Sequence, residues 1–162
     1  MSDVIEEDED DLETLEDERE LANKYLIFAL ENKEFGLKIQ DITEIVGILP
    51  ITEIPNMPRY LRGIVNLRGR GIPVLDARLR FGNPPIEYTD KTVVIILNFL
   101  EQYYGLIVDG VKEVALIPED AIEPSIDFKI NGSSQFVKGL AKINDKVKII
   151  LSTSKILTAI NT

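Results

Sequence analysis

The sequence of 162 residues contains no cysteine, no histidine and no tryptophan. Without these side chains there is no disulfide, no thiol nucleophile, no imidazole base and no zinc finger of the usual ligands. The longest apolar runs, such as Val93–Leu97, are far shorter than the roughly 20 residues that a membrane-spanning helix needs. No basic segment followed by an apolar stretch begins the chain, so no export signal is predicted. We therefore expect a cytoplasmic protein with no direct membrane insertion.

The charge of the chain is unevenly distributed. Residues 1–20 contain twelve acidic residues and one basic residue, whereas the other 142 residues carry 16 acidic and 17 basic residues. A segment of such high negative charge repels itself and offers little apolar surface to bury. We predict that residues 1–22 form a disordered acidic arm, with at most a frayed helix over 12–20. The alternative is that the arm shields a basic patch until a partner displaces it.

Two stretches of the chain each have a similar second copy further along the sequence. Residues 25–45 are similar to 94–114, at an offset of 69, and residues 62–75 are similar to 138–151, at an offset of 76. Ordered matches at nearly equal offsets indicate an internal duplication. The predicted units are about 23–87 and about 88–151, and a C-terminal helix over 152–162 follows them.

Each predicted unit begins with a β-hairpin. Residues 25–30 and 35–39 are strand-like segments around a polar turn, and 92–99 and 103–108 repeat the pattern. Gly36 and Gly105 follow an aromatic residue at a strand start, which is typical of a bulge or a tight bend.

Later segments continue the pattern after each hairpin. Residues 39–45 have apolar side chains three apart, and this periodicity does not decide between a helical turn and a strand. Further strands are predicted near 64–68 and 71–75. Asp76 is expected to cap a short helix over Ala77–Phe81, and Ser152 or Ser154 to cap the final helix.

These elements predict a mainly β protein made of two small related barrels. A unit of about 65 residues buries only about 60% of the surface of its unfolded chain, so it is marginally stable alone. The two units should therefore pack against each other, and the edge of their seam is a natural place to bind a ligand or partner.

The chain has few candidates for catalysis. The Gly-x-Gly in Leu67–Gly71 lacks the third Gly and the helix of a dinucleotide fingerprint. Arginines are more informative, because all except Arg19 lie between positions 59 and 80. Arginine suits carboxylates and phosphates at interfaces, but it also protects exposed strand edges. Arg68 has Asn144 as its counterpart in the second unit, and this difference makes it the best candidate for a functional contact.

The segment Arg62–Gly69, followed by Ile72–Asp76 and then Arg78–Gly82, resembles the signature of the CheW-type chemotaxis coupling proteins. That signature reads G-x-x-N-L-R-G-x-x-x-P-V-x-D-L-R-x-x-F, and Ala77 stands where Leu is usual. The similarity runs from about residue 23 to about residue 160, in the right order. It identifies residues 23–162 as a CheW-like domain.

The resemblance implies two five-stranded barrels of SH3-like or OB-like character, between which strands can be exchanged. It implies no catalysis, no cofactor, no metal and no nucleic-acid partner. The implied role is a scaffold that joins methyl-accepting chemoreceptors to the histidine kinase CheA at receptor arrays.

The resemblance also implies two sets of contact residues. The helical tip of a receptor would dock in the groove between the barrels, on residues that match the family's groove: Ile42, Glu44, Ile45, Val93, Val94 and, nearby, Arg68. The CheW-like regulatory domain of CheA would meet the barrel ends, where Gly63 and Val114 are the expected contributors.

Two alternatives stay open at this point. One is a CheW-like regulatory domain of a CheA kinase, or of a coupling protein fused to a receiver, although residues 1–22 show no such neighbour. The other is an OB-like nucleic-acid-binding module, which salt-dependent binding to an oligonucleotide would favour.

Overall fold

The computed structural model of the protein describes residues 18–124 and 134–158. Most of the predicted acidic arm lies outside these ranges, and its last part, residues 18–22, is helical. The described part of the chain contains twelve strands. They are β1 (Lys24–Leu30), β2 (Lys33–Lys38), β3 (Ile42–Gly47), β4 (Ile51–Thr52), β5 (Leu61–Leu67), β6 (Arg70–Asp76), β7 (Val93–Phe99), β8 (Gln102–Val108), β9 (Gly110–Leu116), β10 (Glu123–Pro124), β11 (Val137–Ile143) and β12 (Lys146–Leu151).

The strands form two six-stranded sheets. The first sheet has the order β10-β11-β12-β2-β1-β9, and the second has the order β3-β7-β8-β6-β5-β4. The hairpin β1–β2 thus pairs with strands of the second half of the chain, and β7–β8 pairs with strands of the first half. This arrangement confirms the mainly β fold and the exchange of strands. The unit boundaries at 23–87 and 88–151 stay a prediction, because each sheet draws strands from both units.

The sheets differ from the expected barrels in two details. Each contains six strands rather than five, because two-residue strands, β4 and β10, pair at one edge. Among the described residues, the two outer strands of each sheet do not pair with each other, so neither sheet closes into a complete barrel.

Alternating side chains build three apolar layers. Along β1, Leu26 and Phe28 point into a central cluster that both sheets share, while Tyr25 and Ile27 point into an inner cluster of the first sheet. The second sheet has its own inner cluster around Val74. Both faces of these strands are therefore buried, and their sequences read as nearly continuous apolar runs.

Gly36 and Gly105 lie in continuous register with their antiparallel partners, so neither is a bulge, and the tight bend that was the other expectation stays a prediction. The glycines are needed for close packing instead. A Cβ atom on Gly105 would lie 2.6 Å from Cγ1 of Val74 and 2.7 Å from Cγ1 of Val94. The exchanged hairpin can approach its parallel neighbour β6 only because this side chain is absent.

The short helices follow the predicted caps. The helix Ala77–Arg80 begins after Asp76, whose Oδ1 accepts hydrogen bonds from the backbone N–H of Arg78 and Leu79 at 2.9 and 3.4 Å. The helix Thr153–Leu157 is capped by Ser152. The undecided stretch contains both structures, a 3-10 turn over Ile39–Asp41 followed by β3.

Ion pairs fasten the exchanged hairpins. Arg78 donates to Asp109 Oδ2 at 2.6 Å and to Glu31 Oε1 at 3.0 Å, and so links the helix after β6 to the ends of both hairpins. In the first sheet the buried ammonium of Lys148 pairs with Glu34. Because breaking a buried pair leaves an uncompensated charge, these contacts disfavour separation of the two halves.

Candidate partner-binding site

An exposed ion pair joins two residues that the sequence analysis singled out. Arg68 lies in the turn between β5 and β6, and Glu44 lies on β3 at the opposite edge of the strand order. Arg68 Nη1 and Nη2 donate to Glu44 Oε2 and Oε1 at 2.6 and 2.8 Å. This two-point geometry is the strongest form of an arginine–carboxylate contact and fixes both planes.

The backbone of Arg68 is unfavourable for its residue type. Its φ is +52°, in the left-handed region, and its counterpart Asn144 has the same φ. Asparagine tolerates this region, whereas for most side chains it costs about 1–2 kcal/mol. The side chain of Arg68 is 71% exposed, so burial does not explain its presence. The first residues of the other two hairpin turns, Glu31 and Leu100, have φ values of +52° and +50°, so the two-residue turn imposes this conformation and the exposed guanidinium is what distinguishes Arg68.

The ion pair keeps its charges over the physiological pH range. The hydrogen bond from Arg68 lowers the pKa of the Glu44 carboxyl, and the same bond raises the pKa of Arg68. An ordinary glutamate already titrates near pH 4.3. The site therefore presents a fixed pair of opposite charges, to which a polar group of a partner can form hydrogen bonds.

A pocket opens beside this ion pair. Its volume is about 250 Å³, and its floor is apolar, formed by Leu67, Ile72, Ile96 and the ring of Tyr103. Glu44 and Arg68 stand at its rim together with Arg70. An apolar floor with a few oriented polar groups is suited to binding a side chain of a partner.

Strand β3 separates the predicted groove residues into two faces. Ile42 and Ile45 are paired with Leu97 and Ile95, which belong to the central cluster, so both isoleucines face the seam between the sheets. Glu44 is paired with Ile96, which belongs to the inner cluster. Ile42 and Ile45 thus point away from the Glu44–Arg68 pair.

The two valines of the predicted groove are also divided. Val93 is half-buried and packs against the central cluster near the end of the β3–β7 ladder. Val94 is 1% exposed and lies in the inner cluster of the second sheet. The contact role predicted for Val94 stays a prediction, and the alternation along β7 turns its side chain inward in this structure.

What remains is an apolar surface formed by Ile42 and Ile45 of the outer strand β3 and by Val93 of the neighbouring strand β7. We call it the β3 edge surface. Ile45 is 39% exposed, a large value for an isoleucine that faces a seam between packed sheets. Within the described residues β3 pairs only with β7, so its outer side is open.

Gly63 has a structural role that the sequence analysis did not foresee. It is buried, its φ is +146°, and a Cβ atom there would lie 2.1 Å from the carbonyl oxygen of Thr52. Gly139, its counterpart in the duplication, is equally crowded, at 2.5 Å from the carbonyl oxygen of Glu123. The kinase contact predicted for Gly63 stays a prediction; in this structure the strand β4 covers the position that a side chain there would occupy.

Val114, the other predicted kinase contact, is 57% exposed on β9. Val111 and Leu116 are exposed on the same strand. All three face the seam side, because Val111 and Val114 pair with Phe28 and Leu26 and Leu116 pairs with Lys24. These three residues are called the β9 edge surface. The sequence analysis missed Val111 and Leu116, although Val111 aligns with Ile42 in the duplication.

Several of the clustered arginines have contacts inside the fold. Arg80 donates from Nε to the carbonyl oxygen of Ile156 at 3.0 Å, and its guanidinium lies over the rings of Tyr60 and Phe136 at 4.3 and 4.5 Å. Burial lowers the pKa of Arg80. Arg78 likewise forms ion pairs with Glu31 and Asp109. The arginines between positions 59 and 80 are therefore partly structural and do not form one basic surface.

Among the described residues, no helix is both long enough and apolar enough to cross a bilayer. The same part of the chain holds no group of three acidic side chains placed to ligate a metal ion. The site that the structure does present is a pair of apolar strand edges and an oriented ion pair.

Comparisons with known proteins agree with this geometry. The family model described as "CheW-like domain" matches residues 24–161. The chain is 33% identical over 139 residues to the chemotaxis protein CheW of Klebsiella aerogenes, covering 86% of this chain and 84% of that protein. It is 27% identical over 127 residues to the chemotaxis protein CheV3 of Helicobacter pylori, of which it covers 40%.

A solved structure is also similar. The crystal structure of the scaffolding protein TtCheW from Thermoanaerobacter tengcongensis matches with a TM-score of 0.78 and 39% sequence identity, over 84% of this chain and 92% of that one. Fold, signature and relatives thus point to the same conclusion. The chain belongs to the CheW family and is a non-catalytic adaptor of chemotaxis, not an enzyme.

Proposed function

We propose that this adaptor couples the cytoplasmic tips of methyl-accepting chemoreceptors to the histidine kinase CheA, in the cytoplasm at receptor arrays. The observation that carries the proposal is the exposed Arg68, which is held in a two-point contact by Glu44 beside an apolar pocket. The side chain of Arg68 is 71% exposed, so the packing of the core does not require this contact. A coupling role requires at least two separate surfaces, and the structure offers candidates for both.

The receptor is proposed to bind along the β3 edge surface and the Glu44–Arg68 pair. An amphipathic helix buries apolar side chains at a spacing of three and four residues, which suits an open strand edge that carries Ile42, Ile45 and Val93. Charged groups at the border of such a surface set orientation and partner choice more than affinity. Glu44 and Arg68 lie on the opposite face of β3, so in this proposal a receptor tip that extends around the edge of β3 contacts both the apolar surface and the ion pair.

The kinase is proposed to bind at the β9 edge surface. β9 is the counterpart of β3 in the duplication, and like β3 it is the outer strand of its sheet. Val111, Val114 and Leu116 form an exposed apolar row there. Rows of this kind are uncommon on monomeric proteins and mark interaction sites. Two similar edges on two different sheets allow one chain to hold two partners at once.

The test reconstitutes control of the kinase from purified parts. The chain is mixed with CheA and a receptor signalling fragment, and kinase autophosphorylation is followed together with binding of each partner. We expect R68A and I45D to weaken binding of the receptor fragment about tenfold, which corresponds to about 1.4 kcal/mol, while kinase binding is retained. V114D should do the reverse.

The matched control is V147D, because Val147 is 51% exposed on β12 and lies on neither surface. It should bind both partners as the unchanged chain does. If R68A, I45D and V147D give the same receptor affinity, the proposed receptor surface is wrong. If receptor control of the kinase persists without this chain, the coupling role itself is wrong.

A further inference from the structure

In the second sheet, the parallel strands β6 and β8 are unpaired at a place where the corresponding strands of the first sheet, β12 and β2, are paired. In the first sheet the parallel ladder between β12 and β2 begins at the pair Lys148–Glu34. The offsets of the duplication place Ile72 and Tyr103 at the corresponding positions of β6 and β8. There the ladder begins two residues later, at Val74–Gly105.

A cleft of about 320 Å³ lies where these strands are unpaired. It is lined only by residues of β6 and β8, namely Arg70, Gly71, Ile72, Pro73, Gln102 and Tyr103. Pro73 has no N–H to donate to a ladder, which helps to keep the strands apart here. In the first sheet the equivalent place is filled by the ion pair between Lys148 and Glu34.

The cleft contains a cation without a carboxylate. The guanidinium of Arg70 lies over the ring of Tyr103, 5.0 Å from its centroid. Within the described residues no ion pair involves Arg70, and the neighbouring Arg68 is already bound to Glu44. Ile72 and Tyr103 stand in the places of Lys148 and Glu34, so apolar surface replaces the ion pair of the first sheet. Arg70, the counterpart of Lys146, lines the same cleft and is suited to pair with a carboxylate of a ligand.

We propose that this cleft binds an acidic peptide segment, and that the segment is the chain's own N-terminal arm, residues 1–17. Residues 1–17 contain ten carboxylates, and Leu12 and Leu15 among them are suited to the apolar floor formed by Ile72 and Tyr103. Seventeen residues span up to roughly 55–60 Å when extended. A folded body of about 140 residues has a radius of gyration of only about 14 Å, so the arm can reach the cleft from residue 18.

Tethering makes the arm a strong competitor. A short flexible linker gives an effective concentration in the millimolar range, so half occupancy needs an intrinsic Kd of about 1 mM. Burial of Leu12 or Leu15 on the apolar floor contributes most of that affinity, and the exposed Arg70–carboxylate contact adds less. The cleft shares Arg70, Ile72 and Tyr103 with the pocket beside the Glu44–Arg68 pair. An occupied cleft therefore lowers the apparent affinity of any partner that uses that pocket.

The absence of native cysteine allows a direct test on the full chain. A nitroxide is attached to T14C, a substitution that leaves the charge of the arm unchanged, and paramagnetic broadening of backbone amide signals is measured by NMR. We expect the strongest broadening at Arg70–Ile72 and Gln102–Tyr103. R70Q should abolish it, and 1 M salt should weaken it, because the Debye length falls from about 10 Å at 0.1 M to about 3 Å.

K146Q is the matched control, because Lys146 is the counterpart of Arg70 in the first sheet. It should leave the broadening unchanged. A synthetic peptide of residues 1–20, added to a chain whose arm carries Asn and Gln in place of its acids, should shift the same amide signals. Broadening that is unaffected by R70Q, or that centres on the first sheet, would overturn the proposal. None of these outcomes depends on a receptor or a kinase, so the coupling function is tested separately.

Discussion

Substitution of Gly63 distinguishes a structural role from a role in partner contact. In G63A the new Cβ atom would lie 2.1 Å from the carbonyl oxygen of Thr52 and 2.8 Å from its carbonyl carbon. Both atoms are backbone, so no side-chain rotation relieves the overlap. The strand β4 must move away from β5, and the pairing of Ile51 with Val65 is lost.

The expected loss of stability can be worked from two contributions. Forcing an alanine to φ near +146° costs about 1–3 kcal/mol, and overpacking a filled site costs about 1–3 kcal/mol more. Reduced freedom of the unfolded chain returns about 0.4–1 kcal/mol. We therefore expect G63A to lower the free energy of unfolding by about 3 kcal/mol, a large fraction of the 5–15 kcal/mol that is typical of a domain.

Gly69 is the internal control. Its φ is also positive, at +84°, but no atom lies within 4 Å of the Cβ position, so G69A adds strain without overlap. It should cost about 1 kcal/mol. Urea unfolding measures both variants, with stability compared at equal slopes. If G63A and G69A are equally stable, or if G63A keeps full stability but no longer binds the kinase, the structural explanation of Gly63 is refuted.

Three further perturbations test other parts of the structure. L100N should raise stability by about 1 kcal/mol in urea unfolding, because Leu100 is 74% exposed at a φ of +50° that asparagine tolerates; an unchanged midpoint would contradict this. D76A should cost about 2–4 kcal/mol, because it removes a helix cap and leaves the Tyr88 hydroxyl, now 2.8 Å from Asp76, without its partner; D76N, which keeps an oxygen, should cost less. The hydrogen bond from Lys148 lowers the pKa of Glu34, so its stabilisation is complete above about pH 4.3 and is lost as the pH falls through the lowered pKa; the difference in melting temperature between the unchanged chain and E34Q should shrink from pH 7 to pH 3.

Local patterns in the sequence predicted the hairpins and caps of this fold well. The hairpin predicted over 25–30 and 35–39 occupies Lys24–Leu30 and Lys33–Lys38 in the structure. The parallel contact between β2 and β12 joins residues more than a hundred positions apart, and no local preference encodes such a pairing. Strand exchange was therefore expected from the family resemblance alone.

The positions of the candidate site residues could be predicted only in part, and their contact roles stay predictions. Comparison of the duplicated turns selected Arg68, and the structure shows that it contacts Glu44. The direction of each groove side chain depends on the register shift between Ile42 and Glu44, and a bulge of this kind reverses the faces of the residues after it. Because the sequence does not mark the shift, Val94 could not be recognised as buried.

The two halves of the molecule share one backbone plan, so their differences show where binding has been added to it. The first sheet keeps Asn144 in its turn and closes its parallel seam with Lys148 and Glu34. The second sheet has a strained Arg68 in the same turn and leaves its seam open beside Tyr103. The positive φ at Arg68 is common to the hairpin turns of both sheets, so the turn geometry is shared and the exposed guanidinium is the difference. Ile72 and Tyr103, which replace Lys148 and Glu34, pack in or against the inner cluster, and such a replacement of a buried ion pair is often neutral for stability. Both differences lie around one pocket of the second sheet, which is why the proposed binding roles are assigned to this sheet.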